Sequence, residues 1–260
     1  MSEAVLEVEG LAKSFGGVRA VQGVSFSVRR GEFLALIGPN GAGKSTCFNM
    51  INGQLTPDAG DIRLSGRSIA GLTPRRIWRE GVGRTFQIAA TFGSFTVIEN
   101  VQMALLSHLG EVYSFRGSVA PRHRAAALEL LQRVGMAEQA DRNSRELAYG
   151  DVKRLELAIA LANEPKLLLM DEPTAGMAPK ERIDLIALVK RLVEERAISV
   201  LFTEHSMDVV FQFADRIVVL SRGRLIAEGD AAAIRADPEV QAVYLGRSKP
   251  PPRATEAQPT

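Results

Sequence analysis

A glycine-rich stretch near residue 40 has the residue types and the spacing of a loop that binds a chain of phosphates. It reads GPNGAGKST and contains the pattern G-x-x-x-x-G-K-S. Glycines allow backbone N–H groups to turn inward around phosphate oxygens, and a following helix adds the positive end of its dipole. Lys44 can then reach the β- and γ-phosphates, and the Ser45 hydroxyl can bind Mg²⁺. The residues predicted to bind phosphates through this loop are Gly38, Pro39, Asn40, Gly41, Ala42, Gly43, Lys44, Ser45 and Thr46.

A purely structural glycine turn is the alternative interpretation of this stretch. By chance, the four fixed positions would occur in roughly 1% of chains of this length. The stretch also follows a buried apolar run and precedes a helical pattern, which is the context that a phosphate loop requires. Nucleotide binding therefore explains more of the pattern than a structural turn does.

A second apolar run ends in two adjacent carboxylates. Residues 167–172 read LLLMDE, and Pro173 stops the predicted strand. Because neighbouring residues at a strand end point in different directions, the two acids can take separate roles. Asp171 suits the outer coordination shell of Mg²⁺, and Glu172 suits the polarisation of an attacking water. Such a pair alone is more often an exposed acidic surface, but the phosphate loop earlier in the chain favours a catalytic role.

Two further polar residues follow predicted core segments. His205 comes soon after an apolar run at 198–202, and the carboxyl ends of parallel strands are where ligands gather in open α/β sheets. We predict that His205 senses the γ-phosphate, the alternative being a histidine that only caps a helix. Gln87, in the sequence RTFQ, could contact Mg²⁺ and the attacking water and so link two parts of the chain. On chemistry alone, a glutamine is a weak signal.

Buried strands alternate with helices around these residues. The run FLALI at Phe33–Ile37 is apolar throughout, as expected for a strand buried on both faces. Similar runs predict strands at 167–170, 198–202 and 217–220, and helical patterns lie at 44–54, 181–195 and 207–214. Apolar alternation predicts earlier strands around Leu6, Val8, Val24, Phe26 and Val28. The predicted fold class is therefore α/β, with a parallel sheet covered on both sides.

The middle third of the chain differs, because no convincing strand is found from about residue 89 to residue 162. Thr96 and Glu99 have the spacing of a capping box that begins a helix. Further helical patterns lie at 122–134 and 152–162. We predict a helical subdomain, at about 89–162, inserted in the α/β core. The tail 247–260, rich in proline and polar residues, is predicted to be disordered.

Composition excludes several protein classes. The 260 residues are 46% apolar and 24% charged, which excludes disorder of the whole chain. The chain has 32 basic and 30 acidic residues, so its net charge is +2. We therefore expect no basic surface for binding nucleic acid. No apolar stretch approaches the roughly 18 to 20 residues that cross a bilayer, and no secretory signal is recognisable. With Cys47 as the only cysteine, we expect a globular protein of the cytosol.

In order and spacing, the motifs resemble those of the ATP-binding cassette (ABC) transporter ATPases. The phosphate loop resembles the Walker A motif, and Asp171 with Glu172 resembles the end of the Walker B motif. Gln87 is similar to the family's Q-loop glutamine, and His205 is similar to its switch histidine. Phe15, in KSFGG, takes the place of the aromatic residue, usually a tyrosine, that stacks on adenine in this family.

The resemblance covers about residues 4–246, taken as one ABC ATP-binding domain. It implies a P-loop NTPase fold with a RecA-like core, a small antiparallel β subdomain and an inserted helical subdomain. It also implies ATP and Mg²⁺ as ligands, with Ser45, Gln87 and Asp171 near the metal. The family works as a dimer, in which each ATP lies between the phosphate loop of one chain and the signature motif of the other.

The signature motif departs from the family pattern. The family's LSGGQ corresponds here to Leu147, Ala148, Tyr149, Gly150 and Asp151. Ala148 lacks the hydroxyl that would bond a γ-phosphate across the dimer, and Tyr149 replaces a glycine. Ala178 stands where the family usually has aspartate or asparagine. We therefore expect this chain to hold its partner's ATP with fewer bonds.

Four short sequences narrow the resemblance. LAYG, RTFQ, EHSMDVVF and a closing VYLG at 243–246 are similar to those of ATP-binding subunits of branched-chain amino acid uptake transporters. This implies ATP hydrolysis coupled to uptake of branched-chain or other hydrophobic amino acids, or related small solutes, across the inner membrane. Implied partners are membrane permease subunits, a second ABC ATPase subunit (a heterodimer, with a homodimer left open) and, indirectly, a periplasmic solute-binding protein. The subunit would lie at the cytoplasmic face of that membrane and contact the permease through the helical insert and residues 88–95.

Three other functions stay open at this point. A lipid or lipopolysaccharide export ATPase has similar loops but usually keeps a serine in the signature motif. A nucleic-acid maintenance or translation ATPase usually has two cassettes or a long coiled coil, and this sequence predicts neither. A regulator that binds nucleotide without hydrolysing it is disfavoured because Glu172 and His205 are both present.

Overall fold

The computed structural model describes residues 3–85, 91–111 and 123–245 of the chain. Gln87, residues 88–90 of the expected permease contact and the tail 247–260 lie outside the described residues. Over the three described ranges, no helix combines the length and the apolar character needed to cross a membrane.

Four antiparallel strands form a sheet from the N-terminal part of the chain. Numbered along the chain, they are β1 (Ala4–Phe15), β2 (Val18–Arg29), β4 (Ala59–Leu64) and β5 (Arg67–Ser68), in the order β2-β1-β4-β5. Leu6 pairs with Val28 and Val8 with Phe26, so the alternating apolar side chains share the buried face. The two early strands are as predicted from alternation, and β4 and β5 were not predicted.

The second sheet has six strands. They are β3 (Phe33–Ile37), β6 (Val82–Thr85), β7 (Leu167–Asp171), β8 (Ser199–Thr203), β9 (Arg216–Ser221) and β10 (Arg224–Gly229). Their order is β10-β9-β3-β8-β7-β6, and every neighbouring pair is parallel except β10 with β9. The predicted parallel core is confirmed. Because β3, β7 and β8 end at the same edge, the phosphate loop, the acid pair and His205 that follow them lie at that edge.

Helices cover both faces of the parallel sheet. They are α1 (Lys44–Ile51), α2 (Pro74–Arg79), α3 (Val97–Leu109), α4 (Arg124–Arg133), α5 (Tyr149–Leu161), α6 (Pro179–Arg196), α7 (Met207–Phe213), α8 (Ala231–Ala236) and α9 (Pro238–Leu245). Within β3, Phe33, Ala35 and Ile37 join a core cluster with α3 to α7, whereas Leu34 and Leu36 pack with α1 and the antiparallel sheet. Burial on both faces explains why FLALI is apolar without interruption.

The first helix is shorter than the pattern at 44–54 predicts. It ends at Ile51, and the backbone turns at Gly53, where φ is +73°. The N–H groups of Gln54 and Leu55 both donate to the carbonyl oxygen of Asn49, which closes the helix end. A Cβ on Gly53 would lie 2.3 Å from the carbonyl oxygen of Leu72, so this position accepts only glycine.

The middle of the chain is helical, with α3, α4 and α5 packed on one another. In its described residues, this region contains a single isolated bridge, between Thr96 and Asn143, and no strand. The predicted capping box is confirmed. The Glu99 N–H donates to Thr96 Oγ1 (3.3 Å), and the Thr96 N–H donates to the Glu99 carboxylate (2.8 Å).

Helix α5 begins at Tyr149, three residues before the start at Val152 that its apolar period predicts. The N–H groups of Asp151 and Val152 already donate to the carbonyl oxygen of Ala148, which places Ala148 at the N-cap. Tyrosine, glycine and aspartate are weak helix formers, so this first turn is not recognisable in the sequence. As a result, most of the signature motif is the first turn of a helix.

Candidate nucleotide-binding site

The loop between β3 and α1 is shaped by two glycines. Gly38 has φ +155°, and a Cβ there would lie 2.3 Å from the carbonyl oxygen of Leu220 at the end of β9. Gly43 has φ +103°, and its Cβ would lie 2.6 Å from the carbonyl oxygen of Ala20 in β2. Only glycine lets the loop lie this close to its neighbours. The Gly223 N–H also donates to the carbonyl oxygen of Ala42 (3.0 Å).

The Lys44 ammonium points back into this loop. Its Nζ donates to the carbonyl oxygens of Gly38 (2.7 Å) and Pro39 (3.2 Å), and the side chain is buried. Burial lowers the pKa of Lys44, while the charges of Glu172 and Asp171 act in the opposite direction. The residue is therefore a cation held inside the loop close to two acids, which suits the neutralisation of phosphate charge.

Asp171, the last residue of β7, is held on both carboxylate oxygens. Thr203 Oγ1, at the end of β8, donates to Asp171 Oδ1 (2.8 Å). Oδ2 lies 3.6 Å from Nη2 of Arg84 in β6. The carboxylate is mostly buried between these two strands. The neighbouring strands thus fix its orientation beside the phosphate loop.

Glu172 lies just beyond the strand with a backbone conformation that is rare for glutamate, φ +49°. Its N–H donates to Thr203 Oγ1 (3.0 Å), which stabilises this turn of the chain. Its Oε1 lies 2.8 Å from Nε2 of His205. Glu172, predicted to polarise the attacking water, is therefore in direct contact with His205, predicted to sense the γ-phosphate, although the two residues follow different strands. Because of this turn, the side chains of Glu172 and Asp171 point in different directions.

Sequence reasoning did not identify Glu204, a buried carboxylate that joins the two loops of the site. Its Oε1 accepts hydrogen bonds from the N–H (3.0 Å) and hydroxyl (2.6 Å) of Thr174, in the loop after β7. Its Oε2 accepts from the N–H of His205 (3.1 Å) and from that of Ser206 (3.5 Å). The sequence does contain a signal for this role, because Glu204 is a charged residue directly after the apolar strand β8 and next to His205. Glu204 fixes where His205 lies relative to the acid pair.

The polar groups here fit a magnesium ion that is bound together with nucleotide. Ser45 supplies a hydroxyl at the exposed start of α1, and Asp171 supplies a carboxylate. Magnesium prefers oxygen ligands and is usually held by one or two protein groups plus phosphates and waters. Among the described residues, no cluster of three His, Cys, Asp or Glu side chains could hold a metal without such help. Gln87, the other residue predicted to lie near the metal, is outside the described residues.

Phe15 ends β1 with its ring substantially exposed (45%). The Lys13 ammonium lies 5.8 Å from the ring centroid. Phe15 belongs to the β1–β2 hairpin, whose Ala20 carbonyl oxygen lies against the phosphate loop at Gly43. The exposed aromatic face is available for stacking, and the role of Phe15 at adenine stays a prediction.

The signature residues contact the loop that follows the acid pair within the same chain. The Tyr149 hydroxyl donates to the carbonyl oxygen of Ala175 (3.0 Å), and its ring lies beside Gly176. Asp151 accepts a hydrogen bond from Gln139 Nε2 (3.2 Å). Ala148 caps α5 without any side-chain hydrogen bond, and Gly150 lies in the first turn of that helix. Leu147 packs against the core cluster, which anchors the motif.

Two family models match the chain. Residues 21–175 match the model described as ABC transporter, a range that begins before the phosphate loop and ends after the acid pair. Residues 224–249 match the model described as Branched-chain amino acid ATP-binding cassette transporter.

Curated relatives match over nearly the whole chain. The high-affinity branched-chain amino acid transport ATP-binding protein BraF of Pseudomonas aeruginosa is 41% identical over 95% of this chain and 100% of its own length. The protein of the same description, LivG, of Escherichia coli K12 is 40% identical over the same shares. Among solved structures, an ABC transporter cassette in its ADP conformation has a TM-score of 0.84 at 32% identity, covering 94% of this chain and all of its own. A dimeric bacterial ABC transporter cassette has a TM-score of 0.74 at 27% identity, covering 87% of this chain and 98% of its own.

Proposed function

Since this chain belongs to the ABC transporter family of ATP-binding cassettes, we propose that it hydrolyses ATP to drive uptake of branched-chain or other hydrophobic amino acids. The observation that carries the proposal is the contact between Glu172 and His205 at the sheet edge that also holds the phosphate loop. The LivG and BraF relatives support the class of solute, because their names describe branched-chain amino acid transport.

The chain's own residues account for the chemical step. Lys44 holds positive charge inside the phosphate loop, where it would meet the β- and γ-phosphates. Magnesium, when bound with ATP at Ser45 and with Asp171 in its outer coordination shell, would neutralise phosphate charge. Glu172 would accept a proton from the attacking water, and His205, fixed through Glu204, would hold the γ-phosphate side of the site. Catalysis here is mainly positioning and charge, as expected for phosphoryl transfer.

Uptake in the source organism tests the proposal. Deletion of the gene should abolish energy-dependent accumulation of labelled leucine, isoleucine and valine, and the wild-type gene should restore it. A gene encoding Glu172→Gln should produce the protein but not restore uptake. Unchanged uptake in the deletion strain, or a defect in lipid or lipopolysaccharide export instead, would contradict the amino-acid assignment.

We also propose that the subunit works beside a second ATPase, at the cytoplasmic face of the inner membrane. Ala148 presents a methyl group where the family presents a hydroxyl to a γ-phosphate, so the ATP on the partner's loop would lose one bond. A hydrogen bond to a charged group contributes roughly 1.5–3 kcal/mol. The site on this chain's own loop would be intact if the partner has a complete signature motif.

The variant Ala148→Ser should give two separable gains. Serine is a good N-cap and alanine a poor one, so the isolated subunit should gain about 1 kcal/mol in its free energy of unfolding. In the reconstituted transporter, nucleotide affinity and ATPase rate should rise as well. Ala148→Gly is the matched control, because glycine is also a better N-cap than alanine but carries no hydroxyl. If Ala148→Ser leaves ATPase rate and affinity unchanged, or changes them only as much as Ala148→Gly does, the weakened-signature proposal is wrong.

For the permease contact, the described residues contain an apolar groove between the core and the helical region. It has a volume of about 460 Å³, and its walls include Trp78 of α2, Phe92, Met103 and Ser107 of α3, and Ile159 of α5. Phe92 belongs to the segment 88–95 that the sequence assigns to the permease. Apolar walls and a size suited to a few side chains support this groove as the seat of a permease helix.

The variant Ser107→Arg should therefore prevent assembly. An arginine on this half-buried position would fill the groove with a charge, and co-purification of permease subunits from detergent-solubilised membranes should fall to background. Ala232→Arg, on an exposed position of α8 outside the helical insert, should leave assembly unchanged. The isolated Ser107→Arg subunit should still bind ATP. Normal co-purification of permease with this variant would exclude the groove as the contact.

A further inference from the structure

Arg84 is a buried cation beside the catalytic acids, and the motifs of the sequence assign it no role. It is the third residue of β6, and its side chain is 8% exposed. A guanidinium offers five donors in a rigid plane, so it can hold several acceptors at fixed angles. Taking such a charge out of water is costly, so the surrounding groups must be arranged to hold it.

Three elements of the fold meet at this guanidinium. Nη2 donates to Asn49 Oδ1 of α1 (3.0 Å), and Nη1 donates to Gln54 Oε1 just beyond that helix (3.1 Å). Nη2 also faces Asp171 Oδ2 of β7 at 3.6 Å. Burial lowers the pKa of Arg84, and the charge of Asp171 acts in the opposite direction. The helix that begins in the phosphate loop is thereby tied to the strand that ends in the acid pair.

The contacts to Asp171 divide its two oxygens between two neighbours. Thr203 donates to Oδ1, and Arg84 faces Oδ2, so rotation of the carboxylate would weaken both interactions. Asp171 is predicted in the outer coordination shell of the metal, where the loss of a group typically costs 10- to 100-fold in metal affinity, and its contribution depends on its orientation. Thr203 alone could not fix the plane of the Asp171 carboxylate, because a carboxylate held by one hydrogen bond can still rotate about that bond.

We propose that Arg84 is a positioning residue that holds the Asp171 carboxylate in the orientation needed at the magnesium ion, an inference that rests on the metal site of the proposed function. Arg84 acts through Asp171, and Asn49 and Gln54 hold its guanidinium in place.

A magnesium titration of nucleotide binding tests this role without hydrolysis. The isolated subunit is mixed with a fluorescent, non-hydrolysable ATP analogue, and Mg²⁺ is titrated into wild type, Arg84→Gln and Arg84→Lys. The half-saturating Mg²⁺ concentration should rise about 10- to 100-fold in Arg84→Gln. It should recover in part in Arg84→Lys, which keeps the charge but not the planar donors. Asn49→Ala, which removes one hydrogen bond to the guanidinium, should give a smaller shift in the same direction.

Arg216→Gln is the matched control for general destabilisation. Arg216 is similarly buried and bonds to both carboxylate oxygens of Glu32. It is the first residue of β9, at the amino ends of the parallel strands, away from the acid pair. This variant should lower the unfolding temperature without moving the Mg²⁺ midpoint. If wild type shows no Mg²⁺ dependence, the metal site of the proposed function fails. If wild type shows Mg²⁺ dependence and both Arg84→Gln and Asn49→Ala keep the wild-type midpoint, the metal site stands and only the proposed positioning role of Arg84 is wrong.

Discussion

Replacement of Glu172 with glutamine should lower the ATPase rate of the assembled transporter at least about 100-fold, because general-base catalysis typically contributes a factor of 10² to 10⁴. Glutamine has the same shape and can still place an oxygen near His205 Nε2. It cannot accept a proton from water at neutral pH. Release of phosphate from ATP measures the rate.

ATP binding by the same variant should be kept or become tighter. Burial lowers the pKa of Lys44 and the charge of Glu172 acts in the opposite direction, so this carboxylate also lies within electrostatic reach of phosphates bound at Lys44. Removing one negative charge near a polyanion reduces repulsion. Equilibrium binding of labelled ATP to the isolated subunit measures this, with Glu195→Gln, on an exposed position of α6, as the matched control. A variant that keeps more than a tenth of the ATPase rate, or loses ATP binding, would exclude Glu172 as the general base.

The short motifs of the site could be predicted from the sequence, because the residues that would bind phosphate and the glycines that shape the backbone around it are close together in the chain. The phosphate loop needs glycine where Gly38 approaches Leu220 and where Gly43 approaches Ala20, and these requirements leave a recognisable spacing. The strand β3 was predicted with its observed bounds, since burial on both faces forces five consecutive apolar residues.

What the sequence could not show depends on contacts between residues far apart in the chain. Glu204 is a charged residue, so a search for apolar runs does not detect it. Its structural role depends on the hydrogen bond from Thr174, which lies in another loop. Arg84 lies in a strand of four residues, Val82–Thr85, that contains a glycine and an arginine and so has no apolar run. The pairing of β6 with β7, which brings Arg84 beside Asp171, is set by the sheet and not by either segment alone.

Replacement of Lys44 with methionine should raise the dissociation constant of ATP at least about 100-fold. One hydrogen bond to a charged group contributes roughly 1.5–3 kcal/mol, or about 10- to 150-fold in affinity. The ammonium can reach both the β- and the γ-phosphate from its place inside the loop. Folding should suffer little, because the variant loses hydrogen bonds to Gly38 and Pro39 but also removes a buried charge that burial disfavours. The unfolding temperature of the isolated subunit checks the second point.

A comparison of ATP with ADP shows which phosphate the ammonium meets. If Lys44 contacts the γ-phosphate, Lys44→Met should weaken ATP more than ADP, since ADP loses only the interaction at the β-phosphate. Lys166→Met is the matched control, because Lys166 is exposed at the start of β7, at the edge of the sheet opposite the phosphate loop. Equal losses for both nucleotides would confine the role of Lys44 to the β-phosphate, and no loss for either would exclude the loop as the nucleotide site. The distinction matters for transport, because a cation at the γ-phosphate loses one of its interactions when that phosphate is released, and the loop would then respond to hydrolysis.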